Sequence, residues 1–115
     1  MKNPPIGNRH RAKPPKTLSA EARRRWRQLA EEYGIVDAGG LQVLEAYAEA
    51  FDRMRGAQQQ IDRDGTTYKD RFGQLKSHPL LTVERDARAA MLHALKALNL
   101  DLEPLKDGPG RPGGR

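Results

Sequence analysis

The fold of this chain is decided by residues 37–63, which read DAGGLQVLEAYAEAFDRMRGAQQQIDR. Apolar side chains recur in this stretch at steps of three, four and seven, the spacing that places them on one face of an amphipathic helix. Asp37 stands where an N-cap residue is expected. At about 1.5 Å per residue, roughly 25 residues form a rod ~37 Å long. The stretch therefore predicts one long helix that organises the rest of the chain.

The apolar arc of this helix is wider than one packing partner requires. Alanines at 46, 50 and 57 extend the stripe well beyond the ~100° that a single neighbour covers. We therefore expect neighbours on two sides, one from this chain and a second copy of the chain as a candidate for the other. The last helical pattern adds two leucines that lie off its main stripe. The predicted oligomer interface is Val43, Tyr47, Met54, Ile61, Leu81 and Leu92.

Two shorter helical patterns flank the long one. The first has Ser19 as its N-cap, Trp26 as its anchor to the core and Gly34 at its end. The last opens at Pro79 and is expected to end with Asn99 in the left-handed conformation. Between the second and third helices the helical pattern fails. The predicted fold class is mainly α: three helices with a long central helical hairpin, and a small β-hairpin or irregular arm between helices 2 and 3.

The ends of the chain differ in composition from its middle. Residues 1–17 contain four of the eight prolines, and residues 104–115 are dominated by Gly, Pro and basic residues. The sequence predicts a disordered basic arm at 1–17, a helical domain at 18–103 and a disordered Gly/Pro tail at 104–115. A core of about 80 residues is near the lower size limit for independent stability. The chain has no Cys, so disulfides cannot stabilise it, and oligomerisation is a common alternative.

Positive charge is concentrated at the N-terminal end. The whole chain carries +6, but residues 1–27 hold nine Lys and Arg against one acid, a balance of +8 that leaves the remainder at −2. This asymmetry indicates a polyanion met by one end of the molecule, and a tail that only aids solubility is the alternative. The predicted phosphate-binding residues are Arg9, Arg11, Lys13, Lys16, Arg23, Arg24 and Arg27.

No catalytic arrangement can be assembled from the sequence. The three histidines lack partners at metal-ligand spacing, and there is no Gly-rich phosphate loop. Glu45, Glu49 and Asp52 share one helix face, which we interpret as a solvated polar face rather than a metal site. His78, just before the proline that opens the last helix, is expected to pack and hydrogen-bond locally. We predict a binding protein and not an enzyme, with no catalytic residue, metal or cofactor; no apolar run is long enough for a membrane span.

The order of several short motifs resembles a known family. The motifs are Leu18-Ser19 with a basic helix and its Trp26, Leu44-Glu45-Ala46-Tyr47-Ala48, Gly65, a variable segment with Gly73, His78-Pro79, Arg85-Asp86-Ala87-Arg88 and Leu95-Lys96-Ala97-Leu98-Asn99-Leu100. Together they resemble the small terminase subunit of tailed bacteriophages, in the branch found with long-tailed phages and prophages. The resemblance covers about residues 17–104. The sequence departs from the family at Asn99, where Gly is usual, and after Leu100, where a short further helix is common.

The resemblance implies a non-enzymatic DNA-packaging factor in the host bacterial cytoplasm. Such subunits assemble into homo-oligomeric rings, engage double-stranded viral DNA, and recruit or regulate the large subunit, which carries the ATPase and nuclease. The domain at 18–103 would then serve DNA packaging and oligomerisation. No DNA-contact residue transfers from the family, so the predicted DNA-binding set depends on charge placement alone.

Two other classes of function stay open at this point. One is a basic, dimeric helical DNA-binding regulator without a motor partner, although the second helix is too long and too apolar for a recognition helix. The other is a scaffold or RNA-binding adaptor that uses the arm only electrostatically. The mass in solution separates them, because a dimer favours the regulator and a large closed ring favours the terminase.

Overall fold

The computed structural model describes residues 12–100, which form three α-helices and one β-hairpin. The elements in chain order are α1 (Ala20–Tyr33), α2 (Ala38–Asp64), β1 (Thr67–Lys69), β2 (Leu75–Ser77) and α3 (Leu80–Ala97). The predicted mainly α fold is confirmed, and the segment between helices 2 and 3 is a hairpin. The tail at 104–115 and residues 1–11 of the predicted arm, with the disorder predicted for them, lie outside the described residues.

Side-chain caps define where the first two helices begin. The Ser19 hydroxyl accepts a hydrogen bond from the backbone N–H of Ala22 at 3.0 Å, and the Asp37 carboxylate accepts one from Gly40 at 2.9 Å. Both caps satisfy an N–H group that has no partner inside its helix. A Cβ atom at Gly40 would lie 2.9 Å from side-chain atoms of both Asp37 and Ile35, so any larger residue here would displace the capping carboxylate or the Ile35 side chain. Both predicted N-caps are confirmed.

Left-handed residues follow α1 and α3. Gly34 has φ 62°, and its N–H donates to the Ala30 carbonyl, which also accepts from Ile35 at 3.0 Å. Asn99 has φ 55°, and its N–H donates to the Lys96 carbonyl at 2.9 Å. Asparagine adopts this conformation more readily than most residues with a Cβ atom. It can therefore follow the last helix in this conformation without a glycine.

Helix α2 is packed on two sides by its own chain. α3 runs alongside it as the second arm of a long helical hairpin, and α1 packs on it as far along as Arg55. Trp26 of α1 is buried in the shared core, which confirms its role as the anchor of that helix. The second neighbour that the wide apolar arc indicated is therefore α1, and a second copy of the chain is not needed to explain the arc. The buried residues of α2 are Leu44, Tyr47, Ala48, Ala50, Phe51, Met54, Ala57 and Ile61.

The residues predicted to form an oligomer interface occupy very different environments. Tyr47, Met54 and Ile61 are buried within the single chain, where they contribute to its own core. Val43 and Leu81 are half-buried, whereas Leu92 is 66% exposed. The interface itself stays a prediction. Leu92 is the most exposed residue of that set.

The β-hairpin projects from the junction of α2 and α3. Its strands are antiparallel, with Tyr68 opposite Lys76 and Lys69 opposite Leu75. All six strand residues are exposed, and neither strand makes an extensive contact with a helix of the described chain. A two-stranded hairpin has little stability of its own, so it depends on contacts at its base to stay in place.

The two phenylalanines of the chain offer a matched test of this core. Phe51 is 1% exposed in the middle of α2, whereas Phe72 is 75% exposed at the tip of the hairpin. Phe51→Ala should lower the free energy of unfolding by about 3–5 kcal/mol, because it removes buried contacts and leaves a cavity. Phe72→Ala should change it by less than about 0.5 kcal/mol. Urea denaturation of both variants gives the comparison, and equal effects would contradict the placement of α2.

Candidate nucleic-acid interface

The outward face of α1 carries the predicted arginines in two different roles. Arg24 and Arg27 are exposed, as expected for residues that meet a ligand. Arg23 instead donates through its guanidinium to the Leu18 carbonyl at 2.6 Å and to the Lys16 carbonyl at 3.4 Å. These bonds fasten the chain segment that enters the helix. Arg23 therefore has a structural contact that charge placement alone did not indicate.

Arg25 is a basic residue of this face that was not in the predicted set. Its guanidinium lies 4.4 Å from the centre of the Phe51 ring, and Arg55 approaches the same ring at 5.4 Å. Such cation–π contacts stabilise by about 0.5–1 kcal/mol at exposed sites. Arg25 remains exposed, so its charge contributes to the surface while its contact covers the core.

The last residues of the predicted arm lie against the helical body. Pro14 is buried and Ala12 packs against the core, while the Leu18 N–H donates to the Pro15 carbonyl at 3.3 Å. Lys13 and Lys16 are exposed beside this segment. They are thus held near the start of α1. The predicted DNA-binding residues Arg9 and Arg11 lie outside the described residues.

Carboxylates are interspersed among these arginines. A shallow surface groove along α1 is lined by Glu21, Arg24, Arg25, Arg27, Gln28 and Glu31. Glu21 is neutralised by Arg55, whose guanidinium lies 2.8 Å from one carboxylate oxygen and 3.3 Å from the other. The face therefore has a positive balance, but it is not as free of acids as the sequence suggested.

Two polar contacts fix α1 on α2 and thereby orient this face. The Asp52 carboxylate accepts hydrogen bonds from both the backbone N–H of Ser19, at 2.8 Å, and its hydroxyl. The Glu21–Arg55 pair lies two residues farther along the chain in α1 and three residues farther in α2. Asp52 is therefore a structural residue. This corrects the interpretation of Glu45, Glu49 and Asp52 as one solvated polar face, although Glu49 is exposed.

A chain of side-chain bonds extends from Arg55 to α3. Arg55 donates to the side-chain Oε1 of Gln58 at 2.8 Å, and the side-chain Nε2 of Gln58 donates to the Glu84 carboxylate at 3.4 Å. Glu84 also accepts from Arg88 at 2.9 Å. All three helices are joined by this network. The sequence does not reveal this network, because Glu21 and Arg55, which join α1 to α2, are 34 positions apart in the chain.

His78 is held locally at the base of the hairpin. Its Nδ1 accepts from the Leu80 N–H at 3.1 Å, and its Nε2 lies 2.8 Å from an oxygen of Asp64. Since Nδ1 is an acceptor, the proton of the neutral ring is on Nε2, which donates to Asp64. The predicted local packing of His78 is confirmed.

Within residues 12–100, no three His, Cys, Asp or Glu side chains are placed to hold a metal ion. No helix in that same range is long and apolar enough to cross a membrane.

Comparison with known proteins adds one decisive match. The family model described as "Phage terminase, small subunit" matches residues 11–103. The chain belongs to this family. No curated protein and no solved structure matches it significantly. The matched range of the terminase small subunit includes all three helices, both strands, and the lysines and arginines that surround the start of α1.

Neighbouring side chains lower the pKa of two carboxylates of this small subunit, Glu21 and Asp64. The pKa of Glu21 is lowered, chiefly by its hydrogen bonds from Arg55 and also by the charges of Arg25 and Arg24. The pKa of Asp64 is lowered by hydrogen bonds from Gln60 and then His78. In both cases the folded pKa lies below the unfolded value of about 4. Their stabilisation is therefore present above that value and is lost as the pH falls through the folded pKa.

Glu21→Gln should consequently flatten the loss of thermal stability on acidification. Between about pH 5 and pH 2, the melting temperature of the variant should fall less than that of the wild type, because the variant has no proton to bind at this position. Glu32→Gln, on an exposed residue of the same helix outside these bonds, is the control and should follow the wild type. Parallel curves for all three proteins would rule out a role of the Arg55 contact in acid stability. Circular dichroism melts at each pH provide the measurement.

Proposed function

We propose that this small subunit binds the double-stranded DNA of the viral genome and recruits or regulates the large ATPase/nuclease subunit during packaging. The family match over residues 11–103 carries the proposal. Terminase small subunits are generally non-catalytic, so the proposed role is one of binding and assembly. The basic surface around the start of α1 supports the DNA part of this role.

The proposed DNA contact combines the face of α1 with the segment before it. Arg24, Arg25 and Arg27 are exposed on a helix whose orientation is fixed by the contacts to Asp52 and Arg55. Lys13 and Lys16 continue the positive surface on the preceding segment, and the sequence before it adds two more arginines, at positions 9 and 11. These side chains would neutralise phosphates and not read bases, because they are numerous, charged and spread over the surface.

A ring of subunits would strengthen this contact. Many weak sites presented together raise the effective concentration of each site for the same DNA molecule. Since α1 and α3 already bury the apolar arc of α2, the contacts between subunits would depend mainly on other surfaces. The outer face of α3, with the half-buried Leu81 and the exposed Leu92, is the surface that we assign to this contact.

Native mass spectrometry should detect a closed multi-subunit species. Leu92→Asp should shift it toward smaller species, because the substitution places a charge in the proposed contact. Val36→Asp is the control, since Val36 is also a large exposed apolar residue, at 58%, but lies in the loop between α1 and α2. A stable wild-type monomer at micromolar concentration would exclude the ring, and a dimer would favour the regulator without a motor partner.

Salt titration of duplex binding should locate the DNA contact. Removing residues 1–11 deletes Arg9 and Arg11 while keeping the packed Pro14, and each phosphate that is no longer neutralised should make the log–log slope less steep by about 0.9. Arg27→Gln should have a similar effect. Arg85→Gln on α3 is the matched control, because it removes one exposed charge from another face. If only the control weakens binding, the interface lies on α3.

A further inference from the structure

The β-hairpin carries most of the large apolar side chains that are exposed in the described chain. Five large hydrophobic residues of the described chain are widely exposed, and three of them are Tyr68, Phe72 and Leu75. Exposed apolar side chains scattered singly are ordinary, but a cluster on one projecting element marks a contact surface. Phe72, at 75% exposure, stands at the tip.

Each of these apolar side chains has a cation beside it. Tyr68 is directly opposite Lys76, and Leu75 is directly opposite Lys69. The Arg71 guanidinium lies 5.3 Å from the centre of the Phe72 ring. The surfaces of protein–protein contacts are depleted in lysine at their centres. Since two of the three apolar side chains are paired with a lysine, the hairpin favours a polyanion with apolar elements over another protein.

The one acid of the hairpin faces inward. One oxygen of Asp70 accepts hydrogen bonds from the backbone N–H groups of Phe72, at 2.8 Å, and Gln74, at 2.9 Å, and the other lies 3.9 Å from Lys76. The Asp70 carboxylate thus stabilises the turn, in which Gly73 adopts φ 80°. The outward surface is consequently positive.

The hairpin is also anchored at its base. The backbone N–H of His78 donates to the Thr66 carbonyl at 2.8 Å, and the His78 ring bonds to Asp64 at the end of α2 and to the Leu80 N–H at the start of α3. The direction in which the ribbon projects is thereby tied to the two helices. Such an element can present its tip to a partner without first being ordered.

We propose that the β-hairpin is a second contact to duplex DNA, separate from α1, with its tip in a groove and its cations on the flanking phosphates. This inference rests on the proposed function. The major groove admits a two-stranded ribbon, and apolar side chains such as Phe contact or wedge between bases in proteins that enter a groove. Lys69 and Arg71 neutralise phosphates, and Phe72 contacts the bases or sugars.

The test separates the charged contacts from the apolar one. The double variant Lys69→Gln/Arg71→Gln should make the salt dependence of binding to a mixed-sequence duplex less steep, by about 0.9 for each phosphate that the variant leaves unneutralised. Phe72→Ala should weaken binding on the order of tenfold at every salt concentration and leave the slope unchanged. Lys96→Gln and Val36→Ala are the matched controls, because they remove an exposed cation from α3 and an exposed apolar side chain from the loop between α1 and α2. Unchanged melting temperatures establish that each variant is folded.

The outcomes distinguish the two proposals. If the wild type does not bind duplex DNA, both the proposed function and the hairpin contact are overturned. If the wild type binds and the truncation of residues 1–11 weakens binding, but the hairpin variants match the wild type in affinity and slope, the hairpin contact alone is overturned. If the hairpin variants change the native mass and not the DNA affinity of the assembled species, the hairpin is a contact between copies of the chain, which also overturns the proposal.

Discussion

The burial of α2 on two sides is the constraint on which the rest of this structure depends. Phe51 and Leu44 are its largest fully buried side chains, and they are covered by elements that come before and after the helix in the chain. A long helix that is apolar over more than half of its circumference cannot be satisfied by a helical hairpin alone. The packing of α1 completes the core. The same packing determines where the basic face of α1 is presented.

Polar contacts then select one arrangement of α1 among those that would bury the same apolar area. The Asp52 carboxylate caps two donors of Ser19, and Arg55 holds Glu21 by two bonds. Exposed ion pairs contribute only modestly to stability. Their geometry nevertheless specifies rotation and register, which nonpolar packing leaves loosely defined. The position of the arginines is thus a consequence of the contacts that the N-terminal end of α1 makes with α2.

The local features of the fold could be predicted from the sequence, and the long-range ones could not. Caps such as Ser19 and Asp37 depend on residues three positions away, so their signals are short and strong. Periodicity indicates the width of the apolar arc of α2 but not the identity of its neighbours. From the sequence alone, a second copy of the chain is therefore a candidate for the side of α2 that α1 covers in the structure. The same limit applies to the site. Charge placement found Arg24 and Arg27, but it could not show that Arg23 bonds to the backbone of the preceding segment.

The only tryptophan of the chain has a consequence for how the protein can be observed. Trp26 is 3% exposed on α1, and within the described residues its indole N–H has no hydrogen-bond partner. An indole in such surroundings emits at shorter wavelength than one in water, since little solvent can relax around its excited state. Because Trp26 is buried in the core that α1 shares with α2 and α3, this emission reports whether α1 is docked on the helical hairpin. Intrinsic fluorescence can therefore follow the movement of a single helix in the full-length chain without any label.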